Sequence, residues 1–144
     1  MVAEILSRKQ IAEAEGAKLS HIKPHGALYN DDAKDEKIAQ IVIDSVLEFD
    51  EILPLFVPQN SVISEMAERK IPLIFEAFAD RNYNQNYSLV SRSIPRALIT
   101  EKEAVFEHLF AMFSEGKIRC ENDVDISCKA DTFCLHSDLS IIHI

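Results

Sequence analysis

Helical and strand-like spacings of apolar residues alternate along most of the chain. From Ala3 to Glu15, Ile5, Leu6, Ile11 and Ala12 fall near a 3.6-residue repeat, and Gly16 supplies a helix stop. Lys18 to Lys23 reads as a short strand ended by Pro24. Ile38, Ile41, Val42, Ser45 and Val46 form the stripe of an amphipathic helix over Asp35 to Glu48. The apolar run Ile52 to Val57 predicts a buried strand. Asn60 is the expected N-cap of a helix over Ser61 to Arg69, and Pro72 to Phe75 is a further strand. The polar stretch Asp80 to Tyr87 reads as a loop. Thr100-Glu101-Lys102-Glu103 has the form of a capping box for a helix to about Ser114, with Gly116 after it. Lys117 to Cys120 and Val124 to Cys128 predict two strands joined by a turn at Glu121-Asn122-Asp123, and Thr132 to His136 a last strand. This alternation predicts an α/β fold with a mostly parallel sheet and a small hairpin near 117–128.

Composition narrows the class. The chain has 144 residues, enough for one domain with a core, and no internal repeat or Gly/Ser linker divides it. Its formal net charge is −9, which disfavours nucleic acid and anionic membrane surfaces as partners. No apolar run approaches the roughly 20 residues of a membrane span. The mixed charge of Met1 to Lys9 is unlike a signal peptide. Cys120, Cys128 and Cys134 make an odd set without a CxxC spacing, which fits reduced thiols and a cytoplasmic setting. A Cys120–Cys128 disulfide across the hairpin is the less favoured reading.

The polar clusters follow the predicted strands. Lys23-Pro24-His25-Gly26 follows the first, Glu76 to Arg81 the third, and His136-Ser137-Asp138 the last. Parallel α/β folds bind ligands at the carboxyl ends of their strands, so these clusters are expected to share one site. Lys23 suits an anion. His25 can act as acid, base, ligand or donor, and Gly26 permits close backbone approach. Arg81 suits a carboxylate or phosphate, against an internal salt bridge with Asp80 or Glu76. Arg92, between two serines, is a second anion binder or a solvated loop residue. His136 with Asp138 resembles a histidine with an orienting carboxylate; two such groups alone do not make a metal site. His21, His108 and His143 read as structural or solvated. Walker A, GxGxxG and GxSxG motifs are absent from the sequence.

Four segments, in order, resemble the LamB/YcsF family. HIKPHGALYN, from His21 to Asn30, is close to that family's HVKPHGALYN. FEAFADRNY is similar to EVFADRAY, LVSRS to LVPRS, and DTFCLHSD to DTICVHGD. The resemblance runs from the N-terminus to about Asp138 and implies a TIM-like, irregular (β/α) barrel. It also implies ATP-dependent hydrolysis of 5-oxo-L-proline to L-glutamate by an A subunit working with separate B and C subunits. Under it, Lys23, His25, Glu76, Asp80, His136 and Asp138 are the expected catalytic groups. Arg81, Arg92, Gly26 and Tyr29 are the expected substrate- or phosphate-binding groups. ATP is the implied cofactor, and a divalent metal is left open.

The departures from the family are specific. Members run to roughly 250 residues, as such barrels do, and open with motifs resembling DLNxDxGE, CGFHAGD and GAHPxYPD, which this sequence lacks. Ser137 stands at a motif glycine, and Arg96 at the glycine of PGAVI. The expectation is therefore a single domain over 1–144, a truncated barrel of about five mostly parallel strands. As an isolated chain it is expected to have little activity, and to form a homodimer or pair with a separate N-terminal fragment. Two other readings remain: an inactive truncated or split paralogue acting as a fold remnant or binding module, and a metal-dependent deacetylase-like hydrolase needing an Asp/His/His set.

Overall fold

A computed structural model describes residues 2–136. Ser137, Asp138 and His143 lie outside the described residues. The chain forms two compact units, Met1–Ile74 and Phe75–Ile144.

In the first unit, α1 (Val2–Ala14) closes through a Schellman arrangement at Gly16, whose φ is 73°. Ala17 N donates to Ala12 O at 2.8 Å and Gly16 N to Glu13 O at 3.0 Å. The expected apolar stripe of this helix is largely solvated, with Leu6 and Ile11 exposed. The segment Lys18 to Lys23 contributes one parallel bridge, Ile22 to Leu55, where the sequence predicts a full strand. A short helix that the periodicity does not announce, α2 (Ala27–Asp32), follows Gly26.

Helix α3 (Glu36–Leu47) starts at Asp35, whose carboxylate accepts from Lys37 N at 2.8 Å and Ile38 N at 3.1 Å. Its core face is Ala39, Val42, Ile43 and Val46, all fully buried. Ile41, placed on the stripe from sequence, is exposed, because the packed face is turned toward Ile43. Strand β1 (Leu55–Pro58) buries Leu55 and Val57 in alternation. Helix α4 (Val62–Ala67) packs against α3 and is capped by Ser61, not Asn60. Ser61 and Ser64 exchange side-chain bonds to each other's backbone N–H, which Asn60 at φ 53° does not do.

Strand β2 (Leu73–Phe78) crosses from one unit to the other. It lies centrally in a three-stranded parallel sheet of order β1-β2-β5, with β5 at Thr132–Cys134. The pairs Glu76–Thr132, Ala77–Phe133 and Phe78–Cys134 fix the β2–β5 register. The hairpin of β3 (Lys117–Arg119) and β4 (Asp125–Ser127) is antiparallel, as its turn residues predict. Its register sets Cys120 near Val124 and Cys128 beside Gly116, and all three cysteines are free.

Helix α5 (Lys102–Phe110) begins after Glu101, and no side chain caps it, so the box anticipated at Thr100 does not form. It runs into a π-helical turn, Ala111–Glu115, that Gly116 stops at φ 64°. Among the described residues no helix is long and apolar enough to cross a membrane.

Asp32, at the end of α2, is 1% exposed, and neither carboxylate oxygen has a hydrogen-bond partner among the described residues. Burial, with Asp31 adding repulsion, raises its pKa from 3.8 to about 7. The folded chain therefore holds this proton more tightly than the unfolded chain. Its contribution to stability falls as pH rises from 3.8 to about 7 and stays low above that. Asp32→Ala should gain roughly 2–4 kcal/mol over the parent chain at pH 8. That gain should shrink toward pH 4 in guanidinium unfolding, and a gain independent of pH would contradict the assignment to a buried charge.

Candidate functional site

Parallel register does the positioning in the second unit. Glu76 to Phe78 pair with Thr132 to Cys134, and Ala79 N continues the ladder to Cys134 O at 2.9 Å. Two residues further on each strand, the same register brings Asp80 beside His136. Asp80 Oδ2 accepts from His136 N at 2.8 Å and lies 2.8 Å from His136 Nδ1. The carboxylate is fully buried and the imidazole partly exposed. Phe78 stacks on the imidazole, with ring centroids 5.4 Å apart and planes at 9°. With a carboxylate on Nδ1, the neutral ring carries its proton there and has Nε2 as the basic nitrogen. Asp80 Oδ1 has no hydrogen-bond partner among the described residues.

The carboxylate found on His136 is thus Asp80, 56 positions away in sequence. The pairing expected with Asp138 lies outside the described residues.

The second unit buries further polar groups. Glu76 is 5% exposed at the paired part of β2. Tyr83 and His108, which the sequence does not single out for the site, are buried and stack at 6.3 Å. Tyr83 Oη accepts the Phe78 N–H at 2.8 Å, and burial pushes the phenol pKa up. Burial pushes the His108 pKa down, which favours a neutral ring there, opposed by a hydrogen bond to the Arg81 backbone. Tyr83 closes the FEAFADRNY motif, so that segment is the available signal for it. His108 offers no signal beyond being a polar residue on a helix.

Arg81 is buried, and its guanidinium is turned to the backbone. Nη2 donates to Val90 O at 2.8 Å and Nε to Ala97 O at 3.4 Å. Desolvation first, then Arg92, lower its pKa. Arg81 pins the segment from Asn82 to Ala97, and antiparallel bridges Arg81–Leu98 and Tyr83–Leu89 order a stretch that the sequence reads as loop. Arg92 is exposed on it. Arg96 sits at φ 74°, a backbone region in which glycine is unstrained, and its side chain pairs with Glu121 at 3.3 Å.

In the first unit, Lys23 is half-buried, Pro24 buried and His25 exposed. Gly26 has φ 63° and ψ −131°, and a Cβ there would meet nothing within 4 Å. Its requirement is conformational, not spatial. Tyr29 is 4% exposed and packs into the core. Among the described residues no group of three or more His, Cys, Asp or Glu is placed to hold a metal ion.

A family model described as the LamB/YcsF family matches residues 1–141. The chain is 42% identical over 128 residues to the 5-oxoprolinase A subunit of Pyrococcus abyssi, covering 88% of this chain and 50% of that protein. It is 40% identical over 131 residues to the 5-oxoprolinase A subunit of Haemophilus influenzae strain PittEE, covering 90% and 54%. A solved structure, the lactam utilization protein from Thermus thermophilus, superposes with a TM-score of 0.88 at 33% identity. That match covers 96% of this chain and 56% of the other. The chain spans about half the length of the curated relatives it matches.

Two measurements test this geometry. Asp80→Ala removes the acceptor that fixes the imidazole proton, so nitrogen NMR of His136 should show the Nδ1–H preference lost; an unchanged tautomer would show that Asp80 does not set it. Tyr83→Phe leaves the buried Phe78 N–H without its acceptor and should cost about 1–3 kcal/mol in denaturant unfolding.

Proposed function

The chain belongs to the LamB/YcsF family, and on that premise we propose that it carries part of the site of a 5-oxoprolinase A-type subunit. The reaction is ATP-dependent hydrolysis of 5-oxo-L-proline to L-glutamate, with separate B and C subunits as partners. The observation that carries the reading is the buried Asp80 bound to both the backbone N–H and the ring of His136. It supports a histidine held in one tautomer for proton transfer, with Nε2 as the base.

A five-membered lactam is an unreactive amide whose ring closure is favourable, so opening it needs coupling to ATP. Transfer of the γ-phosphoryl group to the lactam oxygen would release ADP and make the ring carbon a better electrophile; a base would then direct water to that carbon, with the C–N bond broken, the nitrogen protonated and phosphate released. In this assignment His136 is the base and Asp80 orients it. Glu76, further back on the same strand, and Lys23 and His25 of the 21–30 segment serve as the other catalytic groups. Arg92 and Lys23 are the cations for phosphate. Arg81 fits that role poorly, because two of its donors are spent on carbonyl oxygens; it acts by shaping the segment that bears Arg92. Gly26 and Tyr29 shape the backbone and core behind Lys23.

We further propose that the described strands are part of a TIM-like barrel domain of the family type. The superposition on the Thermus lactam utilization protein supports this at the level of the shared fold.

The test is glutamate release from 5-oxoproline and ATP by the full chain, supplied with B and C subunits and with the part of the Pyrococcus abyssi relative that its match leaves uncovered. His136→Asn should lower kcat at least 100-fold with KM little changed, Asp80→Asn should lower it by a similar order, and Lys23→Ala should abolish activity. Normal turnover by His136→Asn would overturn the assignment of the base. Normal turnover by Lys23→Ala would remove Lys23 from the site.

A further inference from the structure

Helix α2 has six residues, too few to hold itself together in water, so it depends on what it packs against. Its last residue is Asp32, 1% exposed, with neither carboxylate oxygen hydrogen-bonded among the described residues. Its N-cap is Gly26, the end of the Lys23-Pro24-His25-Gly26 cluster. Asn30 Nδ2 donates to Gly26 O at 3.1 Å, and Val62 N donates to Ala33 O at 3.0 Å. One end of α2 thus holds the 23–26 segment, and the other is tied to the start of α4.

The helices that meet α2 bury no charged residue. Helix α3 packs on it and buries Ala39, Val42, Ile43 and Val46, and α4 buries Ile63 and Ala67. The charged residues of the two helices, Glu36, Lys37, Asp44 and Glu65, are exposed. Asp31 is the charged group that acts on Asp32, and it adds repulsion. A neutral carboxylic acid is tolerated in such a place, whereas a carboxylate without donors is strongly disfavoured. Charge on Asp32 is relieved once the side chain reaches water. That requires the last turn of α2 to leave α3 and the bond from Val62 N to Ala33 O to break.

We propose that Asp32 is a proton-operated latch: protonated, it lets α2 dock and hold the 23–26 segment; ionised, it drives the last turn of α2 off α3 and frees that segment. The latch regulates by pH the site in which Lys23 and His25 are placed, and to that extent it rests on the function proposed above. In docked α2 burial raises the Asp32 carboxyl from 3.8 to about 7, and opening the turn returns it toward 3.8. The docked form therefore binds the proton more tightly. Opening grows about tenfold per pH unit between 3.8 and about 7 and levels off above that, where both forms are ionised.

The experiment is native-state amide exchange on the full chain, with each opening constant taken relative to the intrinsic exchange rate. The Val62 amide reports on the bond that must break. Its opening constant should rise by about tenfold or more from about pH 5 to about pH 7 and then flatten. It should also exceed that of Val42 and Ile43 in α3, which marks a local opening and not global unfolding. Asp32→Asn keeps the shape without the charge and should remove the pH dependence; Asp32→Ala should do the same, so the result does not hang on one variant. Relaxation dispersion at the Lys23 and Gly26 amides should show a minor form that grows over the same range and is absent in Asp32→Asn. The latch is overturned if Val62 opening is flat with pH, if it opens only together with Val42 and Ile43, or if Asp32→Asn keeps the pH dependence. It is equally overturned if Lys23 and Gly26 show no such minor form. None of these readings uses turnover, so failure of the lactam reaction leaves the latch standing, and failure of the latch leaves the reaction untouched.

Discussion

A carboxylate at the end of the sheet organises the second unit. Asp80 is fully buried, and burial of such a group is costly unless donors meet it. Here His136 brings two, its backbone N–H and its ring nitrogen, both to Oδ2. The bond can form only because β2 and β5 are parallel neighbours in the register that pairs Phe78 with Cys134. The polar bond in turn ties the segment after β5 to the segment after β2. Ring orientation and the nitrogen left free at Nε2 are thus consequences of that register.

Asp32 gives the contrast within the same chain. It is as deeply buried as Asp80, yet no donor meets either oxygen among the described residues. Burial then acts on the carboxyl alone and favours the protonated form. Depth alone does not set the state of a buried carboxyl; the donors that meet it do. Asp80 keeps one oxygen without a partner among the described residues while the other is doubly bonded, an arrangement that combines fixed geometry with remaining acceptor capacity.

Much of this was legible in the sequence where local chemistry decides. The α3 cap at Asp35, the stop at Gly116 and the hairpin around Glu121-Asn122-Asp123 each follow from residue types acting on their immediate neighbours. The misreadings arise where tertiary contacts decide. Lys18 to Lys23 has strand composition, but only Ile22 finds a strand partner. Ser61 outcompetes Asn60 as a cap because Ser64 reciprocates. For Arg81, which the sequence offers as an anion binder, carbonyl oxygens of Val90 and Ala97 take two of its donors. Neither carbonyl announces itself in a sequence, since every residue carries one.

The same distinction explains why the bond between His136 and Asp80 was not legible in the sequence. Sequence proximity favoured Asp138 for His136, two residues away, whereas parallel pairing makes residue 80 a nearer neighbour of residue 136 than most of its own chain. In a parallel sheet the residues that share a site come from separate strand ends, so their sequence spacing carries no information without the register. Once Glu76–Thr132 is fixed, Asp80–His136 follows by counting. The family motifs FEAFADRNY and DTFCLHSD are then intelligible as two halves of one constraint. Each motif holds a strand that sets the register and, two residues past its paired end, the side chain that the register delivers.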